Sequence, residues 1–149
     1  MRIRPIVAVL TLVAIAAIVF ALPASAGGKP YRITLSGAAE VPGPGDPDAT
    51  GTAQVTVNPG TGEVCWSVSV QNVDLPILAA HIHEGAVDDF GDPVVFLLPD
   101  GVSDPDGSFS GCTNVSRELA FQLLLSPENY YVNVHTTLFG AGAARGQLG

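Results

Sequence analysis

The stretch that decides the fold is Thr50–Gln71, TGTAQVTVNPGTGEVCWSVSVQ. Its first half alternates, with Ala53, Val55 and Val57 on one face and polar residues between them. A strand points successive side chains to opposite faces, so this pattern describes a strand with one buried side. Pro59-Gly60-Thr61-Gly62 then supplies a turn, and Glu63–Gln71 alternates again. Two alternating runs around a Gly/Pro-rich turn predict an antiparallel hairpin.

Working outward, the same signals recur at short spacing. Tyr31–Ser36, Ile77–Glu84, Pro93–Leu98, Ser108–Cys112, Tyr130–Thr137 and Ala144–Leu148 read as further strands. Gly/Pro/Asp-rich loops separate them, among them Ala39–Ala49, Gly85–Asp92 and Asp100–Gly107. Ser116–Ser126 departs from the pattern. Ser116 can cap a helix, Glu118 falls in its first turn, and Leu119, Leu123 and Leu124 follow at helical spacing. The expectation is an all-β fold, an antiparallel Greek-key β-sandwich of about eight strands with one short helix.

The N-terminus requires separate treatment. Arg2 and Arg4 precede an uncharged apolar run, and Ala24-Ser25-Ala26 forms a small-residue cleavage site. Residues 1–26 are therefore expected to be a signal peptide, leaving residues 27–149 as one domain of secreted protein. A retained anchor is the alternative, because the run approaches the ~20 residues a spanning helix needs. Loss of Arg2 and Arg4 leaves four Lys/Arg against 14 Asp/Glu, moving the formal charge from −8 to −10. Such a chain repels phosphate, so nucleic acid and, after signal removal, anionic membrane are not expected partners. A metal ion or an unidentified extracellular protein is compatible with the charge.

Cys65 and Cys112 are the only cysteines. In an oxidising compartment an even count suggests a disulfide, worth roughly 3–4 kcal/mol for a loop of this length. Two buried free thiols are the alternative.

The chain has three histidines. His81 and His83 are two apart on an expected strand and project from the same face, with Cα atoms about 6.6–6.8 Å apart. Glu84 points the other way. In the strand containing Val132-Asn133-Val134-His135, the valines suit the core, so Asn133 and His135 share the opposite face. If the two strands meet, all three imidazoles can converge on one ion, with copper or zinc the metals such donors suit. Asp88, Asp89 and Asp92 lack the spacing of a calcium loop and read as solvated charges. No Gly-x-Ser-x-Gly motif and no phosphate-cradling glycine loop is present. No catalytic residue is assigned, and a non-enzymatic module is expected.

Leu35–Pro42 (LSGAAEVP), Gly51–Val57 (GTAQVTV), Ala79–Gly85 (AAHIHEG), Gly91–Leu97 (GDPVVFL), Tyr130–Thr136 (YYVNVHT) and Arg145–Leu148 (RGQL) together resemble the CHRD domain, named after chordin. The pieces run in family order over nearly the whole expected mature chain. Thr137–Leu148 departs from the usual pattern, lacking the proline after Asn-Val-His-Thr. The resemblance implies an extracellular all-β module, with Asn133, Arg145 and Gln147 as candidate supporting residues. In that setting His81 and His135 could bond across strands, and Arg145 could pair with the acidic loop. His81–Asp92, HIHEGAVDDFGD, bears a weaker likeness to copper/zinc superoxide dismutase. The bridging histidine and zinc-loop ligands of that family have no counterpart here. Three functions follow as expectations: a binding or structural module, a copper-binding redox protein, and a secreted antagonist or adhesin.

Overall fold

A computed structural model describes residues 27–99 and 101–149. The expected signal peptide, residues 1–26, lies outside them. Eight strands form in chain order: β1 Lys29–Ser36, β2 Thr50–Asn58, β3 Glu63–Gln71, β4 Ile77–Glu84, β5 Pro93–Leu98, β6 Ser108–Asn114, β7 Tyr130–Thr136 and β8 Ala144–Gln147. One α-helix, α1 Arg117–Leu125, precedes β7. Short 3-10 turns at Gly37–Ala39 and Pro127–Asn129 complete the set.

The hairpin expected from Thr50–Gln71 forms in full register, from Thr50 opposite Gln71 to Asn58 opposite Glu63. Its turn is tied locally. The Asn58 side-chain oxygen accepts from the Gly60 and Thr61 amides at 3.0 and 3.3 Å. Gly62 closes the turn at φ +80°, in the left-handed region that favours glycine. Ser116 caps α1 as expected, its hydroxyl oxygen accepting from the Leu119 amide at 3.1 Å.

Every pairing is antiparallel, in the order β5-β4-β7-β8-β1-β2-β3-β6. The order divides at its middle, where β8 and β1 share the single register pair Arg145–Ser36. This narrow joint lets the sheet fold over into two four-stranded leaves, with chain crossings that make a Greek-key sandwich. Ala53, Val55, Val57, Val64, Val68 and Val70 of one leaf meet Ile77, Ala80, Ile82, Val132 and Val134 of the other in one core. Each such valine or isoleucine contributes about 1.5–3 kcal/mol on burial. Ala120 and Leu123 of α1 join this core, and Tyr31 Oη donates to the Leu123 carbonyl at 3.0 Å.

Cys65 and Cys112 form a disulfide and stand opposite each other in register between β3 and β6. The expected bridge is present, on the outer face, with Cys112 exposed.

Strand β7 is unusual. It alternates Val with Asn and His, yet Tyr130–Val134 and Thr136 are all buried. The valines meet the core. The opposite face is covered by three connecting segments: the stretch after β1, the loop after β4 and the turn before β8. Those segments close over the face that carries the three histidines.

Candidate metal centre

Strands β4 and β7 are neighbours, with His81 opposite Asn133 and His83 opposite Tyr131. His135 lies opposite Ala79. The pairing therefore brings the three histidines together on the outer face, as their strand periodicity requires. One ligating nitrogen from each lies within 4.8 Å of the others. His81 Nδ1 and His135 Nε2 are 3.2 Å apart.

The hydrogen bonds orient the rings. His83 Nδ1 donates to the Gly91 carbonyl at 2.8 Å, and His135 Nδ1 donates to the Gly140 carbonyl at 3.2 Å. A carbonyl only accepts, so each Nδ1 carries the proton and each Nε2 keeps its lone pair. Supporting contacts of this kind fix imidazole orientation at metal sites. His83 Nε2 is buried with no hydrogen-bond partner. Burial pushes His83 and His135 below the usual imidazole range, against the opposing effect of their carbonyl partners. Both imidazoles are therefore neutral at pH 7.

The distances test the fit to an ion. Two bonds of about 2.1 Å span at most about 4.2 Å, so the longest pair, at up to 4.8 Å, must close slightly. An ion must also displace the His81–His135 hydrogen bond and take a lone pair from each ring. The donor set, three imidazoles without a carboxylate or thiolate, suits copper or zinc and not a hard cation. These residues fit such an ion after small ring movements. Glu84 is exposed on the other side, as expected.

The surrounding residues hold the loop that holds His83. Tyr131 stacks on His83, centroids 5.0 Å apart and planes 8° from parallel. Arg145 Cζ lies 3.5 Å from the Tyr131 centroid, coming from β8 on the other side of β7. Tyr131 Oη accepts from the Gly91 amide at 3.2 Å. Gly91 is obligatory here, because a Cβ would collide with the Glu84 carbonyl.

Arg145 is 1% exposed. It donates to the Asp89 carbonyl at 2.7 Å and the Ala86 carbonyl at 2.6 Å. Gln147 donates to the carbonyls of Gly85 at 2.7 Å and Glu128 at 2.6 Å. The expected pairing of Arg145 with the acidic loop thus takes a different form. The guanidinium reads main-chain carbonyls that the loop turns inward, not its carboxylates. Asn133, the third supporting candidate, donates to Glu40 Oε2 at 3.4 Å.

Glu40 and Tyr131 are the parts of the site not singled out in the sequence. Tyr131 shares a face with Asn133 and His135 by simple alternation, so its signal was present. Glu40 carried none beyond its place in LSGAAEVP. It is 6% exposed, and burial raises its pKa to about 7 despite the opposing Arg145 charge and Asn133 hydrogen bond.

No curated protein matched this chain, and no solved structure did. No helix among the described residues is long and apolar enough to cross a membrane. The family model for the CHRD domain matches residues 31–148, spanning all eight strands apart from the first two residues of β1. Domains of this kind occur in extracellular proteins. The match, together with the sandwich and its histidine-bearing strands, places this chain in the CHRD domain family.

Proposed function

We propose that this CHRD domain is exported and serves as an extracellular binding module whose ligand is a copper or zinc ion. His81, His83 and His135 would hold the ion. The observation that carries this reading is the orientation of His83 and His135. Each spends its Nδ1 proton on a backbone carbonyl, which turns an Nε2 lone pair toward a cluster within 4.8 Å. Bound there, the ion would cross-link β4 to β7 and supply a Lewis-acidic centre.

The test is a titration of chelator-treated protein with Cu²⁺ or Zn²⁺ at pH 7.5, with elemental analysis of the product. At 100 times Kd, an ion that binds only the folded state adds about 2.7 kcal/mol, a rise of roughly 8–14 °C in Tm for a domain this size. One equivalent of ion and a rise lost in His135→Ala support the reading. At pH 5 the rise should shrink, because protons compete for the imidazoles. An unchanged Tm with both ions, or an equal rise in His135→Ala, refutes it.

A second reading rests on the 3.2 Å contact between His81 and His135. It makes the histidines a cross-strand structural network, as in a module whose signature residues shape the fold. That reading expects His135→Ala to destabilise the ion-free protein and the wild type to ignore metal.

A further inference from the structure

A cavity of about 350 Å³ opens beside His83, lined among others by Val41, Pro42, Phe90, Tyr131, Asn133 and Ala141. Its size lies within the range of small-molecule sites. Its apolar walls come from all three covering segments: Val41 and Pro42 after β1, Phe90 from the loop after β4, and Ala141 from the turn before β8. Phe90 is 72% exposed, leaving a large apolar ring in water at this place.

The polar part of the wall is selective. Asn133 is 3% exposed, and its Oδ1 is buried with no hydrogen-bond partner, while its amide donates to Glu40. His83 Nδ1 is engaged by Gly91, and its Nε2 also lacks a hydrogen-bond partner. Both unmatched atoms are acceptors, and the Oη of Tyr131, which also lines the cavity, already accepts from the Gly91 amide, so a donor on the ligand is what Asn133 Oδ1 and His83 Nε2 lack. A buried acceptor left unmatched is unfavourable, and a ligand O–H relieves that cost. No Lys, Arg, Asp or Glu lines the cavity, so a charged ligand would make no direct ion pair with its wall. The flat ring of Phe90 and the apolar ring of Pro42 suit a planar apolar body.

We propose that this cavity binds a small uncharged phenol, its ring against Phe90 and Pro42 and its hydroxyl donating to Asn133 Oδ1. The site shares His83 with the metal reading but does not depend on an ion. Its test therefore uses chelator-treated protein, so the two proposals fail separately.

The probes are 4-methylphenol and 4-methylanisole, which differ by the hydroxyl donor, titrated into ¹⁵N-labelled wild type and Phe90→Ala. Phe90 is exposed enough for its truncation to leave the fold intact, which an unchanged Tm checks. The expected result is saturable shifting of the Asn133 side-chain amide and the Phe90 and Ala141 backbone amides by 4-methylphenol. The anisole should bind at least tenfold more weakly, and Phe90→Ala should weaken 4-methylphenol binding about fivefold or more. No saturable shift with 4-methylphenol, equal affinity for both probes, or unchanged affinity in Phe90→Ala overturns the proposal.

Discussion

Replacing Glu40 by Gln should stabilise the protein at pH 8 and much less at pH 5. Glu40 belongs to the segment that follows β1, and burial lifts its pKa from 4.5 to about 7. The folded protein therefore holds a proton that the unfolded chain releases between these values. Stability from this group is present below about pH 4.5 and is lost as pH rises through about 7. At ~1.36 kcal/mol per pH unit, the full rise corresponds to ~3.4 kcal/mol. The neighbouring residues Pro42, Gly43 and Pro44 are exposed, so solvent screening reduces this figure. A gain of ~1–2 kcal/mol for Glu40→Gln at pH 8 is expected. The Gln side-chain oxygen can still accept from the Asn133 amide.

The assay is urea unfolding of both proteins, without metal, at pH 5 and pH 8. His83 and His135 titrate with the opposite sign. Their pKa values are lowered on folding, so they favour the folded state more as pH rises toward and past 6.5. Comparing variant with wild type at each pH cancels that contribution. An equal difference at pH 5 and pH 8, or a variant less stable than wild type at pH 8, would refute the assignment of a buried, protonated Glu40.

Two further outcomes follow from the fold and the site. Cys65→Ser with Cys112→Ser opens a loop of 47 residues' separation and should cost about 3–4 kcal/mol, read as a lower urea midpoint. Equal midpoints for the double variant and the oxidised wild type would show that the bridge adds nothing. Arg145→Met strands the Ala86 and Asp89 carbonyls and should cost at least ~3 kcal/mol. Hydrogen exchange should accelerate first in residues 85–91; uniform acceleration across the fold would contradict a role in holding that loop.

What the sequence made legible was local. The alternation of Thr50–Gln71 and the chemistry of Pro59–Gly62 set a hairpin whose register depends on neighbours along the chain. The Ser116 cap and the ends of β4 and β5 were readable for the same reason, and so was the shared face of His81 and His83. The second layer over that face was not. A strand reading Val-Asn-Val-His describes one dry side and one wet side, and β7 is buried on both apart from the half-buried His135. Its cover comes from residues as distant as Glu40, 93 positions from the Asn133 it meets. No periodicity encodes such contacts. Arg145 shows the same limit: charge suggested carboxylates, while the folded loop offers carbonyls whose direction depends on its path.

These features share one cause. A sandwich leaf with polar residues outward has no need of a lid, yet three segments lie over this one. Two of them supply the carbonyls that orient His83 and His135, and the third supplies Glu40 against Asn133. Covering the face buries His83 and partly shields His135, which lowers the pKa of both, and its carbonyls fix the direction of their lone pairs. The family signature in β4, β7 and β8 is thus physically a single unit: strands that present polar groups, and an Arg–Gln pair that clamps a loop over them. A face built only for solubility would require neither the clamp nor the cover.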